Sequence, residues 1–218
     1  MTPTRVLFVH GLESGPLGRK SRALREAGFE VIAEAMPCSQ RSMLKEPRTL
    51  GLLAAATLLM VVSMRLGWPF ALGAALLVLF SAPLGLRYLI RSAFRESVAV
   101  QVSALRGHAI DVVVGSSYGG AVALELLRSG AWKGPTVLLC PAHRLVAARA
   151  GTSAEKPSLG AHVVVVHGAR DTTVPLADSV ELVRSTKATL LQVDDDHRLN
   201  QAATPSALFA WVSLAMGR

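Results

Sequence analysis

The sequence predicts an α/β fold: a doubly wound, mostly parallel sheet of about six strands with an inserted two-helix apolar hairpin. Three observations carry this expectation. Short β-branched runs recur along the chain, segments of helical apolar spacing alternate with them, and one central segment is apolar on every side. Runs that are continuously apolar belong to strands buried on both faces, and helices on both sides of a parallel sheet provide that burial. Strand–helix alternation with right-handed crossovers then places an active site at the carboxyl ends of the strands.

The strands are expected at RVLFV (5–9), FEVIA (29–33), IDVVVG (110–115), PTVLLC (135–140), HVVVV (162–166) and ATLLQV (188–193). Helices are expected over 18–27, 94–106, 119–129, 176–186 and 202–216, several opening on Pro, Asp, Ser or Thr in capping positions. The opening MTPTRVLFVHGL has no basic leader before its apolar run, so it reads as a first strand and not as a cleaved signal. A chain of 218 residues accommodates one full domain with an insertion. The expected division is a strand–helix domain formed by 1–40 and 95–218, with 41–94 as the inserted hairpin.

Composition narrows the function classes. The chain is 51% hydrophobic and only 17% charged, against a usual charged share of about 25%. Of the net charge of +8, residues 41–106 contribute +6, from eight Lys/Arg against two acids. That clustering has no aromatic stacking stripe or recognition motif beside it, so it predicts an anionic membrane surface and no nucleic acid. Cys38 and Cys140 form no disulfide framework and have no metal-ligand spacing, which fits a reducing, cytoplasmic setting.

Three loops carry the candidate chemistry. Strand IDVVV runs into Gly115-Ser116-Ser117-Tyr118-Gly119-Gly120 and then a helical segment, so a G-x-S-x-G turn joins a strand to a helix. Gly115 and Gly119 flank Ser117 because side chains there would clash in so tight a turn, which holds the serine strained and exposed as a nucleophile. The backbone N–H of Tyr118, at the helix N-terminus, would face a developing oxyanion. The first strand ends in His10-Gly11-Leu12, where the N–H of Leu12 is the second expected oxyanion donor and His10 and Gly11 shape the loop. Asp171 follows HVVVV as the acid and His197 follows ATLLQV as the base, which completes the order Ser, Asp, His. The bland alternatives are a glycine-rich turn without catalysis, a helix N-cap at Asp171 and a solvated loop histidine at His197. Asp194, Asp195 and Asp196 are read as a solvated acid cluster and not as a metal site, and no cofactor is expected.

With HGLESGP after the first strand and VGSSYGG at the elbow, the chain resembles the α/β-hydrolase superfamily, and within it the small bacterial esterases of the YqiA type. The resemblance covers 5–40 and 95–218 and implies hydrolysis of carboxylic esters or thioesters. Residues 41–94 depart from it.

That departure is the apolar segment. Between Leu50 and Met64 the only polar side chains are Thr57 and Ser63, and between Pro69 and Leu86 only Ser81. A helix that is apolar all round is buried in protein or in lipid. Fifteen such residues rise ~22 Å against a hydrocarbon core of ~30 Å, and extension from Thr49 to Trp68 with Arg65 snorkelling nearly spans it. Lys45, Arg48, Arg87, Arg91 and Arg95 flank the hairpin on the hydrolase side, as a cytoplasmic domain on a membrane requires. The expectation is attachment through residues 49–90 and a small-molecule or lipid-like acyl substrate. A soluble cap over the site, a hairpin buried in a dimer, and a non-catalytic membrane binding or scaffold protein are the alternatives.

Overall fold

The computed structural model describes residues 3–12, 14–38, 47–152, 159–184 and 186–218. Arg41, Lys45 and Glu46 of the insertion, and Glu13 of the first loop, lie outside the described residues.

Six strands lie where the apolar runs predict them: β1 (Arg5–Val9), β2 (Glu30–Ile32), β3 (Val112–Ser116), β4 (Thr136–Leu139), β5 (Val163–Gly168) and β6 (Thr189–Val193). All pair in parallel, in the order β2-β1-β3-β4-β5-β6. β1, β3, β4 and β5 form the interior, where Leu7, Val113, Leu138 and Val165 have no exposed surface. Each such burial contributes roughly 1.5–3 kcal/mol, which fixes the strand ends from which the loops depart.

The described helices are α1 (Arg19–Glu26), α2 (Pro47–Leu66), α3 (Trp68–Gly107), α4 (Tyr118–Arg128), α5 (His143–Ala150), α6 (Leu176–Val183) and α7 (Pro205–Ala215). They sandwich the sheet. Leu24 of α1 and Leu208, Trp211 and Val212 of α7 pack on one face. Ala104 of α3, Val122 of α4, Val146 of α5 and Leu182 of α6 pack on the other. Local chemistry starts α7 as expected: Pro205 opens it and the Thr204 side chain accepts the Ala207 N–H at 3.2 Å.

Two elements differ from the sequence expectation. The helix expected at 94–106 is the end of α3, a single helix of 40 residues that begins at the hairpin turn. Its first half is apolar and exposed, and its second half is the crossover that covers β1 and β3. α5 falls in a stretch where no helix is expected; it is short, and it stops at Gly151 in the left-handed region (φ 63°).

α2 and α3 form the hairpin, with Gly67 at φ 115° in the turn between them. Both are long and apolar enough to cross a membrane, with mean hydropathy of 1.8 and 1.9 in their most apolar windows. α2 has 20 residues, a rise of ~30 Å, so the helix outruns its apolar stretch and matches a hydrocarbon core. Most of its apolar side chains, and most of those in the first half of α3, are exposed: Trp68 is 78% exposed and Phe80 74%, while Thr49, Ser63 and Ala74 are buried.

Candidate active site

Ser117 sits between β3 and α4 with φ 54° and ψ −114°, a backbone region that L-residues rarely occupy. The surroundings hold it there. Its N–H donates to the Leu139 carbonyl of β4 at 2.8 Å, and its own carbonyl accepts from Gly120, Ala121 and Ala142 at 2.9, 3.2 and 3.0 Å. A Cβ on Gly115 would lie 2.6 Å from the Gly119 carbonyl oxygen, and one on Gly119 only 2.0 Å from that of Val9. Both glycines are therefore demanded by close backbone approach, and the turn is the strained strand-to-helix elbow that exposes a side chain above the sheet.

The structure brings Asp171 and His197 to this serine. His197 Nε2 lies 2.8 Å from Ser117 Oγ, and His197 Nδ1 lies 2.6 Å from Asp171 Oδ2. Both N–H groups that fix the acid, those of Thr173 and Val174, donate to Oδ1 at 2.8 Å. Burial pushes the Asp171 carboxyl up, but these two N–H groups and the His197 ring outweigh it and hold it below the ordinary carboxylate value. Ionised Asp171 is thus ready to accept from Nδ1–H, which leaves Nε2 as the acceptor for the serine proton.

The loop after β1 faces the elbow. His10 is buried, and its Nδ1 donates to the Gly11 carbonyl at 2.8 Å; burial lowers its pKa, which keeps the ring neutral. The Gly11 N–H donates to Ser14 Oγ at 3.0 Å, and the place of a Gly11 Cβ is 3.6 Å from Ser117 Cβ. Leu12 and Ser117 border one cleft of about 570 Å3, together with Ser14 and His197. The N–H groups of Leu12 and Tyr118 make no hydrogen bond among the described residues. Two backbone donors next to one activated hydroxyl can carry acyl transfer, with negative charge developing between them.

Several residues that build this site have no role in the sequence reading. His167 is fully buried beneath Asp171: its Nε2 donates to the Val174 carbonyl at 3.0 Å, with Asp171 Oδ2 at 3.3 Å, and its Nδ1 accepts from Ser179 at 2.7 Å. Cys140, His167 and Asp171 converge within 4.8 Å. Both His167 nitrogens are already engaged, and burial pushes the Cys140 thiol up to about 12, so the cluster reads as packing beneath the acid. Cys38 and Cys140 are both buried and free.

The acid cluster is corrected at one position. Asp194 and Asp196 are exposed, but Asp195 is buried and accepts the N–H groups of Asp196, Gln201 and Ala202 at 2.8, 2.7 and 2.8 Å. It clamps the loop that carries His197. Gly168 lets this loop close on β5, since a Cβ there would meet the Asp195 and Asp196 carbonyls at 2.5 Å. From α1, Lys20 donates to the Arg198 carbonyl at 2.6 Å and Arg19 to that of Asn200. Asp195→Ala is expected to cost about 2 kcal/mol by removing the buried acceptor of three backbone N–H groups and to lower turnover by moving His197. Chemical denaturation read alongside ester hydrolysis checks it; an unchanged midpoint would count against the clamp.

No family model and no curated protein matches the sequence. Solved structures do. A candidate hydrolase of the α/β superfamily from Xanthomonas campestris is 19% identical, covers 99% of each chain and superposes with a TM-score of 0.54. Est1E from Butyrivibrio proteoclasticus is 13% identical, over 99% of this chain and 89% of its own, with a TM-score of 0.57. A cold-adapted esterase from an Arctic intertidal metagenomic library is 14% identical, over 97% and 83%, with a TM-score of 0.52. At these identities the likeness is one of fold, and the fold is that of the α/β-hydrolases.

Proposed function

We propose that this chain is a serine hydrolase that cleaves a carboxylic ester or thioester through an acyl-enzyme on Ser117, with a lipophilic substrate met at a membrane face. The single observation that carries the hydrolase reading is the relay from Ser117 Oγ through His197 to Asp171, at 2.8 and 2.6 Å, at the mouth of an open cleft. In this reading His197 takes the Ser117 proton as Oγ attacks the acyl carbon. The N–H groups of Leu12 and Tyr118 stabilise the oxyanion, and His197 returns the proton to the departing alcohol or thiol. Water then attacks the acyl-enzyme by the same path in reverse. The HGLESGP and VGSSYGG segments favour the small bacterial esterases as the relevant branch. A fluorophosphonate probe is expected to label the wild type and not Ser117→Ala. Equal labelling of both removes Ser117, and a folded wild type that takes no label is a non-catalytic member of the fold.

In the same proposal, 1–40 with 95–218 is the hydrolase unit and 41–94 is a membrane hairpin. The support is that the most apolar windows of α2 and α3 are only 11% and 6% buried, more exposed apolar surface than a soluble monomer carries. Residues 47–90 do not border the Ser117 cleft among the described residues, so the hairpin is better read as an anchor than as a cap. Arg48, Arg87, Arg91 and Arg95 at its base, against Arg65 alone at its tip, favour a cytoplasmic hydrolase unit. Deleting 49–90 is expected to move the protein from the membrane to the soluble fraction. If the intact chain stays soluble without detergent, the anchor is wrong.

A further inference from the structure

The base of the hairpin carries a built anion site. Arg48 of α2 and Arg91 and Arg95 of α3 surround a hollow of about 480 Å3, with Tyr88 and Ser92 beside them and Glu96 as the one acid among its described lining residues. Two of the guanidinium groups are held in place. Arg48 donates to the Ser92 hydroxyl, which ties the two legs of the hairpin together at this level. Arg91 Nη2 donates to the Ala150 and Gly151 carbonyls at the end of α5, at 3.0 and 3.1 Å. Its Nε is buried and has no hydrogen-bond partner among the described residues. Arg95 is exposed and makes no hydrogen bond or ion pair among the described residues. Three cations against one acid, with a buried donor unmet, leave the hollow short of negative charge.

The level of the hollow identifies the anion. The exposed apolar surface of α3 ends at Leu86 and Tyr88. Arg91 lies ~4.5 Å beyond Tyr88 along the helix, within the ~5–7.5 Å headgroup layer on that side of a hydrocarbon core. Tyr88, 55% exposed, stands where aromatic side chains meet that boundary.

We infer that this hollow binds the phosphate headgroup of an acidic phospholipid, with Arg48, Arg91 and Arg95 around the phosphate. The inference rests on the membrane attachment proposed above and adds a specific lipid partner to it. Neighbouring guanidinium groups bind a phosphodiester by charge-assisted hydrogen bonds that zwitterionic lipid, with its own ammonium, competes for poorly.

The test uses the intact chain in mild detergent, with phosphatidylglycerol, phosphatidylcholine and inorganic phosphate as separate probes. Phosphatidylglycerol is expected to raise the thermal midpoint and to survive into native mass spectra, while the other two do neither. Arg95→Gln removes an exposed side chain that has no partner among the described residues, so it is expected to leave the fold alone and to weaken phosphatidylglycerol retention at least about five-fold. Arg106→Gln, the same charge change farther down α3, is expected to leave it unchanged. Equal effects of phosphatidylcholine, equal losses in the two variants, or the full shift from inorganic phosphate would each overturn the site while leaving the anchor standing. A chain that is soluble without detergent overturns both.

Discussion

Ser117→Ala is expected to lower kcat/KM for an acyl ester by about 10^4- to 10^6-fold while leaving the denaturation midpoint nearly unchanged. The two halves of that statement have different causes. The turn is held by the Ser117 backbone, through Leu139, Gly120, Ala121 and Ala142, and none of these bonds involves Oγ. Alanine meets the same strain at φ 54° as serine does, so the fold loses one hydrogen bond to His197 and little else. The proposed chemistry loses its nucleophile. His197→Ala is expected to fall nearly as far, because an unassisted serine hydroxyl is a poor nucleophile at neutral pH. The double variant should be no slower than the worse single one, since the pair acts as a unit. Asp171→Asn should cost about 10^4-fold by favouring the wrong imidazole tautomer. Residual hydrolysis in all of them would come from the Leu12 and Tyr118 donors. Steady-state kinetics on the four variants checks this; losses that multiply would show that the three side chains do not work as one relay.

Ser117, Asp171 and His197 are legible in the sequence as a candidate site because each lies on the loop that leaves the carboxyl end of a strand. β3, β5 and β6 are short apolar runs, and a parallel sheet delivers the residues after such runs to one edge. What supports them is less legible. Asp195 and its two neighbours are the same residue type in a row, and only the loop's path decides that the middle one turns inward onto Gln201 and Ala202. His167 is the penultimate residue of β5, and its role depends on Ser179, which a helix brings from twelve residues away. The single helix α3 is hidden because the sequence changes character from apolar to basic near Arg87, which resembles a domain border. A physical signal against a break is present: from Leu86 to Arg106 the chain has no glycine or proline. α5 is short and buries Val146, Ala147 and Ala150, mostly small side chains, so its periodicity is weak; Gly151 as a left-handed cap is its best local sign.

Gly119→Ala is expected to destabilise the fold by more than about 4 kcal/mol and to abolish probe labelling with it. The added Cβ would sit 2.0 Å from the Val9 carbonyl oxygen, 2.5 Å from its carbon and 2.6 Å from the His10 oxygen. These are backbone atoms, so no rotamer change relieves the overlap. β1 cannot yield, because Val9 is paired with Gly115 in the register that joins β1 to β3, and Phe8 beside it is buried in the core. The elbow cannot yield either, since Ser117 is pinned to β4. Whichever side moves, the loop holding Leu12 separates from Ser117, so stability and the oxyanion geometry are lost together. Gly115→Ala should be nearly as severe, with its closest overlap at 2.6 Å on the Gly119 carbonyl. Gly120→Ala should be milder, at 2.9 Å from Pro141 Cα. Gly73→Ala, with nothing within 4 Å, should shift stability by less than about 1 kcal/mol. Denaturation midpoints for the four variants rank the overlaps directly, and a Gly119→Ala protein with wild-type stability and labelling would mean that β1 does not press against the elbow.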